Sequence, residues 1–135
     1  MMALDTNVLI RFLVKDDTQQ AQVVYQLFKQ AETDQAVLFV PLLVVLESIW
    51  VLQSVYAIAD ETIVSALNEL MQMPVLSFEA PAVIQGFIAS SKEAKFDLLD
   101  VLIAHSARFS NCKGVYTFDK KAARFKYFEH LTFNP

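Results

Sequence analysis

Two glycines in 135 residues leave little material for tight left-handed turns, so an all-β design with many hairpins is excluded. A single cysteine, Cys112, rules out an internal disulfide and fits a reducing compartment such as the cytoplasm. Cys112 also has no evident base beside it for nucleophilic chemistry. The two histidines are His105 and His130, and His105 falls mid-helix with no paired partner, which reads as packing or surface. There is no glycine-rich dinucleotide motif and no P-loop. Positive charge is not in excess: the formal net charge is −4, which argues against a partner held by bulk electrostatics. No secretory signal is expected, because Asp5 interrupts the start and no basic segment precedes an apolar one.

What the chain has in quantity is apolar surface. Hydrophobic residues make up 55% and mean hydropathy is +0.37, high for a monomer in water. A second copy or a partner is expected to cover part of it. The run "AVLFVPLLVVLESIWVLQSVYAIA" is long enough to span a bilayer, but Pro41, Glu47 and Gln53 interrupt it and no basic cluster flanks it. A strand, a proline and a packed helix explain it better. From Lys92 onward eight Lys and Arg stand against five acids, so a local basic rim is compatible with the acidic total.

The length fits a single domain over residues 1–135. Strand and helix patterns alternate. Strands are expected at Met2–Leu4, Val37–Val40, Val75–Phe78, Gly114–Phe118 and Phe128–Thr132. Helices are expected at Thr6–Val14, Thr18–Ala31, Pro41 to about Val55, Asp60 to about Met71, Pro81–Ser90, Asp97–Phe109 and, briefly, Lys120–Phe125. In Thr18–Ala31 the residues Ala21, Val24, Tyr25 and Phe28 share one face. Asp60 is expected to cap its helix, and Pro41 suits a first helical turn. The alternation implies an α/β sandwich with a mainly parallel sheet. Such sheets bind ligands at the carboxyl ends of their strands.

That rule draws attention to Asp5 and Asp119, each directly after a strand. Asp97 and Asp100 open one helix at i, i+3 spacing, so both can face one side. Glu47 is the lone charge in "PLLVVLESIWVLQ", where an ionised carboxylate buried without a partner would cost several kcal/mol. Each acid also has a plain structural reading. Asp5 and Asp119 suit helix caps, "DLLD" imitates a capping box, and a distant Lys or Arg could neutralise Glu47. Taken together, convergent carboxylates repel unless a cation holds them. Hard oxygen donors favour Mg²⁺ or Mn²⁺, a combination suited to phosphodiester hydrolysis.

"ALDTNVLIRFLVKDD", "LESIWVL", "FDLLDVLIAHSAR" and "VYTFDKKAAR", in this order, resemble the PIN domain, in particular the VapC-type toxin ribonucleases of toxin–antitoxin pairs. The resemblance covers nearly the whole chain. It implies a three-layer α/β/α sandwich with a parallel sheet of about five strands, and RNA cleavage dependent on Mg²⁺ or Mn²⁺. By the resemblance Asp5, Glu47, Asp100 and Asp119 are the four site acids and Asp97 an extra one, with Thr6, Asn7 and Thr117 in support. Two departures are Leu98 and Leu99, where the family usually has small residues, and His105, where it often has alanine.

The expected activity is therefore an endoribonuclease in which Asp5 and Asp100 hold the metal most directly and Glu47 and Asp119 complete the site. Arg11, Lys15, Lys95, Lys120, Lys121 and Arg124 are candidates for guiding RNA phosphates, against a reading as solvated surface. The resemblance also implies an antitoxin partner. "AQVVYQLF" and "IWVLQSVY" are candidate faces for it or for a dimer, with about half of those residues expected in the core. The competing class is a non-catalytic module. A receiver-like Mg²⁺ pocket lacks its acid pair at the first strand and its lysine after the last, whereas a PIN domain that only binds RNA would not need all four acids.

Overall fold

A computed structural model describes residues 1–93 and 95–132. The chain forms two compact units, residues 1–80 and residues 81 onward. The first runs β1 (Met2–Ala3), α1 (Thr6–Leu13), α2 (Thr18–Thr33), β2 (Leu38–Val40), α3 (Leu42–Ser54), α4 (Asp60–Met71) and β3 (Leu76–Phe78). Its strands pair in parallel in the order β1-β2-β3, with Ala3 opposite Phe39 and Val40 opposite Phe78. Parallel neighbours need long crossovers, and the helix pairs α1–α2 and α3–α4 supply them. Fully buried Leu9, Ile10, Val40, Val45, Ile49 and Ile63 form the centre of this core.

The second unit runs α5 (Pro81–Glu93), α6 (Leu98–Phe109), β4 (Val115–Thr117), a 3₁₀ turn (Ala122–Arg124) and β5 (Phe128–His130). β4 and β5 are parallel, with Tyr116 opposite Glu129. α5 packs along α6, and Val83, Ile84, Phe87, Val101 and Leu102 on these two helices are buried. The chain is thus a mixed α/β protein with all strand pairs parallel, as the alternation implied. The five expected strands are present, hydrogen-bonded as ladders of three and two.

Some local expectations change. Pro41 is the N-cap of α3 and lies just outside its first turn, and Ala59, not Asp60, is the N-cap of α4. Tyr25 is 49% exposed, so the buried stripe of α2 is Val24, Phe28 and Ala31. The helix expected at Lys120–Phe125 is one 3₁₀ turn.

Scarcity of glycine shows in the backbone. α2 and α6 both end in Schellman motifs, normally closed by glycine at the left-handed position. Here Gln35 (φ 54°) and Asn111 (φ 65°) take that position. Ala36 N–H donates to Ala31 O (2.9 Å) and Gln35 N–H to Glu32 O (3.2 Å); Cys112 N–H donates to Ala107 O (3.0 Å) and Asn111 N–H to Arg108 O (2.9 Å). Asparagine tolerates this conformation, whereas glutamine bears a cost of about 1 kcal/mol. Gln35→Gly is expected to raise stability by up to about 1 kcal/mol, read as a higher urea midpoint with an unchanged m value. Asn111→Gly should gain less.

Candidate functional site

Asp5 follows the end of β1, where Leu4 N–H still donates to Phe39 O (2.8 Å). Its Oδ1 accepts from Val8 N–H (3.1 Å), so it caps α1 and keeps its other oxygen free. Thr6 begins the helix as one of the few buried polar residues, and Asn7 beside it is exposed. Both readings of Asp5, cap and ligand, therefore fit one geometry.

Glu47 does not occupy the environment expected of it. α3 buries Val45, Ser48, Ile49 and Leu52, whereas Leu43 (77% exposed), Glu47 and Trp50 (52% exposed) follow one another at i, i+4 and i+7 on the outward face. The carboxylate is exposed, so the cost of burying an unpaired charge cannot be what marks it. Arg11 is also unlike a free phosphate contact. Its Nη1 donates to Tyr56 Oη (3.0 Å) and Asp16 Oδ1 (3.2 Å), its Nε donates to Gln20 Oε1 (2.7 Å), and Tyr56 Oη donates to Asp16 Oδ2 (3.0 Å). These bonds tie the α1–α2 turn to the end of α3. Lys15 is exposed in the same turn.

In the second unit Asp97 caps α6, its Oδ1 accepting from Leu99 N–H (2.9 Å) and Asp100 N–H (3.4 Å). Asp119 makes similar local bonds after β4, its Oδ1 accepting from Lys121 N–H (2.8 Å) and Ala122 N–H (3.1 Å) just ahead of the 3₁₀ turn. Thr117 Oγ1 accepts from Asp119 N–H (3.0 Å), which fixes the turn carrying that carboxylate. Asp100, half-buried, has no hydrogen bond to its carboxylate among the described residues. Burial first, and then the charges of Asp97 and Asp119, push its carboxyl above the ordinary aspartate range. Lys95, Lys120, Lys121 and Arg124 are exposed around this set.

His105 packs rather than catalyses. It hydrogen-bonds Ser90 Oγ (2.7 Å) and meets the Tyr127 ring edge-on at 5.4 Å between centroids. Burial, Arg108 and Lys126 lower its pKa from the ordinary 6.5. The neutral ring therefore suits the fold. The stability it contributes is complete above about pH 6.5 and falls as pH drops through the lowered folded value. Between pH 7.5 and 5, the melting temperature of His105→Ala is expected to fall less steeply than the parent's.

The donor set suits a hard divalent cation. Among the described residues the single ion pair is Arg11–Asp16 (3.2 Å), so no Lys or Arg neutralises Asp5, Glu47, Asp97, Asp100 or Asp119. Asp97 and Asp119 spend one oxygen each on backbone N–H groups and keep the other. All these donors are carboxylate oxygens, the ligands of Mg²⁺ and Mn²⁺. Asp5 and Glu47 belong to the first unit and the three others to the second. Among the described residues, no three His, Cys, Asp or Glu side chains form a ready metal cluster.

A family model described as the PIN domain matches residues 2–127. The chain belongs to the PIN-domain family. PIN domains are typically nucleases and generally use divalent metal ions. The match begins before Asp5 and ends after Asp119, so every candidate acid lies inside it. No curated protein matches the chain. Among the described residues no helix is long and apolar enough to cross a membrane.

Proposed function

We propose that this PIN domain is a Mg²⁺- or Mn²⁺-dependent endoribonuclease, and the toxin of a toxin–antitoxin pair. The observation that carries the nuclease reading is the set Asp97, Asp100 and Asp119, with no Lys or Arg paired to it among the described residues and with Asp100 lifted by burial and then by its like-charged neighbours. Function holds such charges together where folding alone would not. Residues 1–135 act as one nuclease domain, because the family match crosses both units.

When bound, a divalent cation acidifies an attacking water and stabilises the leaving oxygen. Asp5 and Asp100 would hold it most directly; among the described residues Asp5 accepts one backbone bond through Oδ1 only. Asp119, Glu47 and Asp97 would complete the set, directly or through water. Thr117 keeps Asp119 aimed by fixing its backbone N–H. Lys95, Lys120, Lys121 and Arg124, with Lys15, bind RNA phosphates and set the strand's register. Arg11 contributes by rigidifying the turn that carries Lys15.

Products decide the chemistry. Cleavage of defined RNAs in Mg²⁺ or Mn²⁺ is expected to leave 5′-phosphate and 3′-hydroxyl ends and to stop in EDTA. Recovery of 2′,3′-cyclic phosphates without sensitivity to EDTA would mean that the ribose hydroxyl attacks, and would overturn the reading. The toxin role rests on the motif resemblance and on exposed Val23, Leu27, Trp50 and Val55, apolar side chains for an antitoxin helix or a second copy. Cytoplasmic location accords with the one free thiol, Cys112.

A further inference from the structure

α3 begins without a cap of its own. Its N-cap is Pro41, which has no side-chain donor or acceptor to offer, and the helix has no acid in its first turn. The first amides of a helix have no intrahelical partner, so Leu42 N–H must find an acceptor elsewhere. It finds Glu79, 37 residues further on, whose Oε1 accepts from Leu42 N–H at 2.9 Å. The same residue's backbone N–H donates to Val40 O (3.0 Å), extending the β2–β3 ladder by one bond beyond Val40 and Phe78. Glu79 therefore grips the chain on both sides of Pro41, once through its backbone and once through its carboxylate. The next residue, Ala80, takes a left-handed φ of 51°. A carboxylate at a helix N-terminus is also favoured by the helix dipole.

We infer that Glu79 is a positioning residue for Glu47: by capping α3 from the end of β3, it fixes where that helix starts and so where Glu47 stands relative to the carboxyl edge of the β1-β2-β3 sheet. Glu47 lies about one and a half turns from the grip on the same helix, so a change in where α3 starts is carried to it along the helix. The inference rests on the nuclease reading for what Glu47 does, but not for the grip itself. Glu79 satisfies the same rule that singles out Asp5 and Asp119, since it directly follows a strand.

Three readouts on the parent, Glu79→Gln and Glu79→Ala test this. Amide exchange at Leu42 should accelerate about tenfold in Glu79→Ala and stay within about threefold of the parent in Glu79→Gln, whose amide oxygen still accepts. The side-chain carboxyl NMR signal of Glu47 should move in Glu79→Ala and not in Glu79→Gln, with that of Glu69 on α4 unmoved in both. RNA cleavage by Glu79→Ala, assayed well below its melting temperature, should lose about tenfold in kcat with KM little changed, and Glu79→Gln should restore it. An unmoved Glu47 signal in Glu79→Ala overturns the inference. So does an equal movement of Glu69, which would signal general loosening, or a Glu79→Gln variant as impaired as Glu79→Ala. A parent protein that cleaves no RNA would sink the nuclease reading alone, and the two NMR readouts would still decide the grip.

Discussion

Asp100→Asn is expected to lower RNA cleavage by about a hundredfold, the upper range for loss of a metal-site partner, while leaving the metal-free protein as stable as its parent or more so. Both effects follow from one physical fact. The Asp100 carboxyl titrates above its ordinary 3.8, because it is half-buried and faces the charges of Asp97 and Asp119. A group whose folded pKa is raised favours the fold in its protonated form. That contribution is complete below pH 3.8 and is lost as pH rises through the folded value, so at neutral pH the ionised carboxylate works against the fold. Asparagine keeps the shape and removes the charge. The helix dipole at the start of α6 favours a carboxylate there by about 0.3–1 kcal/mol, and burial and the charges of Asp97 and Asp119 oppose it. Mg²⁺ should raise the melting temperature of the parent by binding the native state, and do so much less in the variant. Melts of both proteins in EDTA and in Mg²⁺ check each part. A variant that melts clearly lower in EDTA would show Asp100 to be a structural residue of α6. A variant that still cleaves RNA would remove it from the site.

The legible part of the site was the part written in local sequence. Asp97 and Asp119 bond to amides two or three residues away, and such caps show in any string with an acid before a helix. Asp5 belongs with them. Burial does not single out Glu47. Its neighbours in sequence are apolar, but the helical period sets it on the face of Leu43 and Trp50, which points outward, while Val45, Ser48 and Ile49 turn inward. Apolar company along the chain is not burial. Arg11 departs from a free phosphate contact for the opposite reason. Tyr56, 45 residues away, holds it, and no local pattern announces such a partner. The end of α2 lies at Thr33, past the expected Ala31, because Gln35 stands where glycine usually gives the signal, whereas α6 ends at Phe109 as expected even with Asn111 in that place. Element types depend mostly on period and survive such gaps, whereas boundaries depend on caps. The boundaries at Pro41 and Ala59 moved for that reason, since neither residue caps with its side chain.

Gly86→Ala is expected to destabilise the protein by about 1–3 kcal/mol, the range for overpacking a tight contact, and the same change should become stabilising once His105 is alanine. In a helix interior, alanine is ordinarily about 1 kcal/mol better than glycine. At position 86 the added Cβ would lie 2.5 Å from His105 Nδ1 and 2.9 Å from Cε1, distances real contacts do not reach, and 3.3 Å from Cγ, a tight contact. The imidazole has no easy retreat. Ser90 Oγ holds its Nε2 at 2.7 Å, and Tyr127 and Phe125 stand against the ring at centroid distances of 5.4 and 6.5 Å. Either the Ser90 bond breaks or α5 and α6 separate. Gly86 is thus the counterpart of His105, and of the two glycines it is the one that admits a close approach between helices. Removing the ring opens the space. His105→Ala should destabilise the parent by about 1–3 kcal/mol through lost packing and the lost hydrogen bond. In that background Gly86→Ala should recover up to about 1 kcal/mol of helix propensity. The double-mutant cycle over these four proteins, read from urea midpoints, is therefore expected to show a coupling of about 2–4 kcal/mol, the sum of the clash removed and the propensity regained. Additive effects would mean that the ring swings clear at little cost. The functional readout should follow the packing, because α6 carries Asp97 at its cap and Asp100 in its first turn. RNA cleavage by Gly86→Ala should fall at temperatures where the parent is unaffected, and His105→Ala/Gly86→Ala should regain part of it.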